Sequence, residues 1–100
     1  MENYIGRYCI IRSDRAGVFA GIVKCRDGAE ITLTDCRRLW YWSGAASLSQ
    51  LAEEGVKRAA ECKFTMPVQE ITILGTIEII PTSEKAESNI RKVPEWKTRK

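Results

Sequence analysis

Two β-forming stretches on either side of a two-residue turn signal constrain the fold of this chain more than any other feature. VFAGIVKCR (18–26) and AEITLTDCRRL (29–39) are rich in β-branched residues and flank Asp27 and Gly28. An Asp-Gly pair suits a two-residue hairpin turn, because both positions tolerate a positive φ. Both faces of the first stretch are largely apolar, since side chains alternate between the faces of a strand. The first face holds Val18, Ala20, Ile22 and Lys24, and the second holds Phe19, Gly21, Val23 and Cys25. We therefore expect a hairpin within a sheet, with one face on the core and the other against a helix or a second subunit.

The other strand signals lie near the two ends of the chain. RYCIIRS (7–13) contains alternating β-forming residues and predicts a first strand. QEITILGTIEIIP (69–81) predicts one or two strands, with a bulge or bend at Gly75.

Two stretches carry helix signals. Ser47 and Gln50 form a capping box ahead of a short amphipathic segment that Gly55 ends. SEKAESNIRKV (83–93) predicts a second helix, which Pro94 terminates. Together these patterns predict an α+β fold, a mainly antiparallel sheet of about five strands with two short helices packed on it. With 100 residues we expect one domain, 1–100, in which 94–100 is a basic tail that can fray.

Composition excludes several classes of protein. The chain has no histidine, and its cysteines lack CxxC spacing, so we expect no metal site and no cofactor. We expect these thiols, at Cys9, Cys25, Cys36 and Cys62, to be buried as small apolar groups. No leader pattern and no apolar run of the roughly 20 residues needed for a membrane span is found, so we expect a cytoplasmic protein without a membrane partner.

Catalytic motifs are also lacking. Without histidine there is no Ser-His or Cys-His pair, and the sequence contains no phosphate-binding glycine loop of the GxxxxGK[ST] or GxGxxG type. We therefore expect no enzymatic activity.

The stretch DCRRLWYWSGAASLSQLAEEG (35–55) carries the clearest binding chemistry. Alternation predicts that Arg38, Trp40 and Trp42 share one side of a strand, with Arg37, Leu39 and Tyr41 on the other. A guanidinium binds phosphate oxygens, an indole stacks on a base, and the small residues that follow lead to a helix N-terminus. The candidate binding residues are Arg37, Arg38, Trp40, Trp42, Ser43, Gly44, Ser47 and Ser49, with Arg12 and Phe19 from neighbouring strands.

The same residues allow two other interpretations. Tryptophans in a strand are usually core residues, Ser47 is explained by capping alone, and the arginines suit a solvated face. An aromatic strand can also form a dimer face, because Trp, Tyr and Arg are enriched in interface cores.

Five segments resemble a family of small proteins that tailed phages and prophages encode and that is known as a domain of unknown function. They are AGVFAG, RRLWYWSGAASLSQLAEEGV, CKFTMPVQEI, IEIIPTSEKA and VPEW, and the similarity runs from Arg7 to Trp96. The resemblance implies a phage protein made in the bacterial cytoplasm, and it carries no catalytic residues with it.

The chain is also similar, in size, composition and its set of arginines, aromatics and small residues, to phage anti-defence sponges. Those proteins bind cyclic ADP-ribose or cyclic oligonucleotide immune signals and hold them without chemistry. The similarity implies a nucleotide-binding homo-oligomer with pockets at or near its subunit interfaces.

Two other functions are compatible with the same residues. The first is an interaction module that blocks a host protein through the aromatic strand. The second is a binder of single-stranded nucleic acid, which the dispersed acidic residues and the net charge of only +3 argue against.

Overall fold

A three-stranded antiparallel meander forms the centre of the structure, a computed structural model that describes residues 4–98. Its strands are β1 (Tyr8–Ser13), β2 (Gly17–Asp27) and β3 (Glu30–Tyr41). Helix α1 (Leu48–Glu54) and a 3₁₀ turn (Ala59–Glu61) follow, and then strands β4 (Lys63–Phe64), β5 (Val68–Ile73) and β6 (Thr76–Pro81). Helix α2 (Glu84–Lys92) comes last.

The sheet curls because β5 and β6 pair with opposite edges of the meander. Strand β5 pairs with β3 and β6 pairs with β1, although only Leu74 and Gly75 separate them. Gly75 adopts a φ of 72°, which glycine reaches without steric cost. The chain therefore crosses one end of the meander at this bend and folds both outer strands over the same face.

Each face of the meander carries its own core. The face under the curled strands holds an inner core of Cys9, Ile11, Phe19, Val23, Ile31, Leu33, Cys36 and Ile73. The other face packs against α1 and α2 in a helix-side core of Tyr8, Ile10, Ala20, Leu39, Leu51, Ala52, Val56, Cys62, Phe64, Ile90 and Val93. Both apolar faces of β2 are thus covered by the chain itself. Of the two alternatives predicted for the second face, a helix or a second subunit, the structure shows the helices.

A bulge in β3 separates the parts of this strand that serve the two cores. Ala20 pairs with Arg37 and Ile22 with Thr34, so β3 contains one extra residue between these pairs. Asp35 takes a φ of 50°, and Gly21 lies opposite, where a Cβ would be 3.0 Å from the Cα of Cys36. The extra residue shifts the alternation, so that Cys36 faces the inner core and Leu39 faces the helix-side core.

The α+β class, the mainly antiparallel sheet and the two helices are confirmed, but the described residues form six strands rather than about five. The sixth strand is the two-residue β4, in a segment with no clear period. The hairpin turn also differs from the prediction, because Asp27 pairs with Glu30 and the loop is Gly28–Ala29. A positive φ at Gly28 alone is sufficient there.

The predicted helix boundaries are confirmed by their caps. The Ser47 hydroxyl accepts a hydrogen bond from the Gln50 amide, and the Gln50 side chain accepts one from the amide of Ala46. Gly55 ends α1, and the Ser83 hydroxyl caps α2 by accepting from Ala86.

Three of the four thiols are buried as expected. Burial raises the pKa of Cys9 to about 11 and that of Cys36 to about 12, and it also raises the pKa of Cys62. Cys25 is exposed, so the expectation is wrong for this residue.

Candidate functional site

The two adjacent arginines of β3 lie in opposite environments. Arg37 is only 3% exposed, and its guanidinium donates to backbone carbonyls from three separate segments. Its Nε bonds Thr65 O at 2.8 Å, Nη1 bonds Ile90 O at 2.8 Å, and Nη2 bonds Phe64 O at 3.1 Å and Pro94 O at 3.4 Å. This side chain joins β3 to β4, to the end of α2 and to the C-terminal segment. It is therefore placed as a structural residue rather than at a ligand surface.

Arg38 is exposed on the opposite side of β3. Its guanidinium carbon lies 4.6 Å from the centroid of the Phe19 ring, and its Nη1 donates to Ala16 O at 3.0 Å. A guanidinium carries five N–H donors, so most of them remain available to a ligand. The structure thus brings together two of the predicted candidates, Arg38 and Phe19.

Arg38 and Phe19 line a groove of about 350 Å³, which we call the arginine groove. The other lining residues are Arg15, Ala16, Ile71, Thr72, Ile73 and Leu74. The floor is apolar, two guanidinium groups border it, and no carboxylate of the described residues lines it. Within residues 4–98, Arg15 has neither a hydrogen bond nor an ion pair. This groove is suited to a ligand that combines apolar surface with negative charge.

Trp40 follows Arg38 by two residues on β3 and forms an aromatic pair with Trp96. Their ring centroids are 6.4 Å apart and their planes differ by 9°, and Trp40 remains 64% exposed. The Nζ of Lys63 lies 5.4 Å from the centroid of the Trp96 ring. An indole held this openly on a strand presents surface for stacking, with a cation beside it.

The C-terminal segment holds Trp96 in this position. The Phe64 carbonyl accepts one hydrogen bond from the Trp96 amide at 2.8 Å and another from Arg37 Nη2. Glu95 forms a parallel bridge with Phe64. The buried Arg37 therefore helps to position the exposed aromatic pair.

Trp96 also borders a cleft of about 390 Å³, whose other lining residues are Thr65, Lys97 and Thr98. The Thr65 hydroxyl accepts from the Arg38 amide, so this cleft lies next to the strand that carries Arg38. Lys97 pairs with Glu95 at 3.3 Å. The aromatic pair, Lys63, Arg38 and this cleft together make up the candidate site.

The structure separates Trp42 from Trp40. Trp42 is half-buried against the helix-side core, because pairing between β3 and β4 is irregular at Leu39–Tyr41 and alternation does not continue through it. The predicted grouping of Trp42 with Trp40 on one side is corrected, and Trp42 is placed as a packing residue.

The small residues after the strand pack against the segment before β4. The Ser43 hydroxyl donates to Glu61 at 3.0 Å, and a Cβ at Gly44 would lie 2.5 Å from the amide nitrogen of Lys57. Gly44 also has a φ of 95°, so it allows a close approach of two backbones. These contacts account for Ser43 and Gly44 without a ligand.

The remaining candidates lie away from the aromatic pair. Ser47 caps α1, and Ser49 is exposed on that helix. Arg12 pairs with Glu78 of β6 at 3.6 Å and follows Ile10 by two residues, so it belongs to the helix-side face of β1.

Sequence reasoning missed Lys63 and Thr65 as parts of this site and Arg15 as part of the arginine groove. Arg15 lies in a polar turn, and the other two lie in the segment without a clear period. Trp96 is not among the predicted site residues, because no local pattern indicates a contact with a residue 56 positions earlier. Only the fold brings these residues together.

Residues 4–98 contain no group of three or more histidine, cysteine, aspartate or glutamate side chains placed to hold a metal ion. None of their helices is long and apolar enough to cross a membrane.

Comparison with known families assigns the chain but not its activity. A family model described as a domain of unknown function (DUF6948) matches residues 6–90, so the chain belongs to this family. No curated protein and no solved structure matches the chain.

Proposed function

We propose that this protein binds nucleotides without chemistry and that a nucleobase stacks on the Trp40–Trp96 pair. The observation that carries this proposal is the exposed, nearly parallel indole pair with Lys63 beside it; Arg38 lies two residues before Trp40 on the same strand. Stacking of one base on an aromatic side chain contributes about 1 to 3 kcal/mol. Arg38 supplies N–H donors in the geometry that phosphate oxygens accept.

The resemblance to phage anti-defence sponges suggests the biological role. We propose that the protein is phage-encoded, acts in the bacterial cytoplasm and sequesters cyclic ADP-ribose-type or cyclic oligonucleotide immune signals. Sequestration requires slow release, which an enclosed pocket provides. Because the cleft beside Trp96 is open, we propose that a second copy of the chain closes it in a homo-oligomer.

The test is a binding measurement with matched variants. The purified protein is screened by thermal shift against cyclic ADP-ribose isomers, cyclic di- and trinucleotides, linear nucleotides and oligonucleotides, and hits are measured by calorimetry. Trp40→Ala should weaken binding about 5- to 150-fold, which corresponds to loss of one base stack. The control is Tyr41→Ala, which removes an aromatic side chain that is half-exposed on the same strand.

A second pair of variants tests the phosphate contact. Arg38→Gln should weaken binding, whereas Arg12→Gln removes the same charge from the helix-side face and should not. Recovery of the ligand intact after incubation supports binding without chemistry. Equal affinity in wild type and Trp40→Ala, or failure of every nucleotide to bind, would overturn the proposal.

Exposed apolar side chains near the pair favour a second candidate, an interaction module that blocks a host protein. Tyr41, Met66 and Val68 are each at least 44% exposed around this end of the sheet. An apolar surface of this kind suits a protein partner. This function predicts no affinity for nucleotides and a host protein whose capture is lost in Trp40→Ala. A single-stranded nucleic-acid binder would instead show affinity that falls steeply with salt.

A further inference from the structure

The arginine groove runs along the free backbone edge of β5. The last three residues of β5, Ile71 to Ile73, line it together with Leu74 of the bend that follows. Successive side chains of a strand point to opposite faces, so a groove that touches three in a row follows the edge of the strand rather than one face. Within the described residues β5 pairs only with β3, which leaves its other edge unpaired.

An unpaired edge offers a row of backbone donors and acceptors to an added strand. Val68–Ile73 reads VQEITI and is rich in β-forming residues. Pro67, which has no N–H, precedes this edge, but the strand itself contains no proline or lysine to block pairing. The edge is therefore competent to pair with an extended peptide.

The residues of the groove beside this edge determine which side chains the peptide should carry. Its apolar floor includes Phe19, Ile71 and Ile73, which are suited to one apolar side chain. Arg15 and Arg38 lie at the same groove, and no carboxylate from residues 4–98 lines it. The negative groups that would complement these guanidiniums are carboxylates next to the apolar anchor.

We propose that this surface binds an extended acidic peptide segment that adds a strand to the free edge of β5. An apolar side chain of the peptide enters the groove over Phe19 and Ile73, and a neighbouring carboxylate pairs with Arg15 or Arg38. The backbone edge favours a peptide over a nucleic acid, which has no matching row of amide donors. This proposal does not depend on nucleotide binding at the aromatic pair.

The experiment uses the full chain labelled with ¹⁵N and a defined probe, a blocked hexapeptide of alternating glutamate and valine. Amide shifts should change along residues 71–74 and at Arg15, and exchange of these amides should slow. Two matched peptides separate the contributions. N-methylation of alternate backbone amides keeps every charge and should weaken binding by about tenfold or more, and so should replacement of each glutamate by lysine.

Variants locate the contact on the protein. Arg15→Glu should weaken the acidic peptide by about tenfold or more. Arg7→Glu makes the same charge change at the opposite end of β1 and should leave affinity unchanged. Trp40→Ala should also bind the peptide normally, so failure of the nucleotide proposal and failure of this one remain distinguishable.

Three outcomes would overturn the proposal. The first is equal affinity for the N-methylated and unmodified peptides. The second is the absence of any shift at residues 71–74 at millimolar peptide. The third is a single-stranded oligonucleotide that shifts these amides while the peptide does not.

Discussion

The two sides of β3 show how one strand can carry a structural and a functional surface at adjacent positions. Arg37 donates to four carbonyls in the helix-side core, whereas its neighbour Arg38 makes one hydrogen bond and lies over an aromatic ring at the surface. The residue type is the same, and the two side chains differ only in the face of β3 to which they point. Chemical suitability for phosphate therefore identifies a ligand residue only after the fold has determined its exposure.

Removing each arginine should show this difference most strongly. Arg37→Met removes four hydrogen bonds from a charged donor, and each hydrogen bond to a charged group contributes about 1.5 to 3 kcal/mol. We expect the free energy of unfolding in urea to fall by on the order of 3 kcal/mol or more. Arg38→Met should lower the free energy of unfolding by less than about 1 kcal/mol, because the contacts that it loses, with the Phe19 ring and the Ala16 carbonyl, are at the surface. Similar losses in the two variants would contradict the comparison.

Tyr8 provides a second test of the helix-side core. Its buried hydroxyl has no hydrogen-bond partner among residues 4–98, and burial raises the pKa of Tyr8 to about 12 from 10.0. Because the folded-state pKa is the higher one, the unfolded chain ionises first as the pH rises. The contribution of Tyr8 to stability should be complete below pH 10 and should fall by on the order of 2 kcal/mol between pH 10 and 12.

The control for this titration is Tyr8→Phe, which removes the hydroxyl, so the fall between pH 10 and 12 should be smaller in the variant by this amount. The buried thiols of Cys9 and Cys36, whose pKa burial also raises, are present in both proteins, so their contribution cancels. Parallel pH profiles of wild type and variant would show that Tyr8 does not ionise differently in the folded protein.

The sequence predicts the parts of the fold that depend on neighbouring residues. The hairpin, the Ser47 cap and the Gly55 stop each rest on a signal within a few positions. The burial of Arg37 depends on Ile90 and Pro94, more than 50 positions away, and on a bulge with no distinctive sequence pattern. The same holds for the site, where Trp40 and Arg38 were predicted but Trp96 and Lys63 were not.

The aromatic pair should give a smaller effect on stability and a clear spectroscopic one. Trp96→Leu should lower the free energy of unfolding by about 1 kcal/mol, the contribution of one aromatic pair. Two indoles whose centroids are 6.4 Å apart are also close enough for exciton coupling, so we expect a couplet in circular dichroism, which this variant should abolish. Trp42→Leu should keep the couplet. A couplet that persists without Trp96 would place the coupling elsewhere.

The smallest effect should come from the exposed ion pair on the helix-side face of β1. Arg12 and Glu78 are 3.6 Å apart, with side chains 55% and 44% exposed. A double-mutant cycle with Arg12→Ala and Glu78→Ala should give a coupling below about 0.5 kcal/mol that decreases with salt. A coupling energy above about 1 kcal/mol would show that this ion pair stabilises the protein more than an exposed ion pair normally does.

The extra residue at Asp35 means that β2 and β3 can pair in two registers during folding, one with the bulge and one without it. Without the extra residue, every later side chain of β3 would exchange faces, so Cys36 would turn toward the helices and Leu39 toward the inner core. Because residues 37 and 38 are both arginine, a slipped hairpin would still present a guanidinium to the carbonyls of β4 and α2. The neighbours Cys36 and Leu39, not the arginines, must therefore reject the wrong register. Their contacts with distant segments form only after the hairpin, so we expect correction of the register to be a late step in folding.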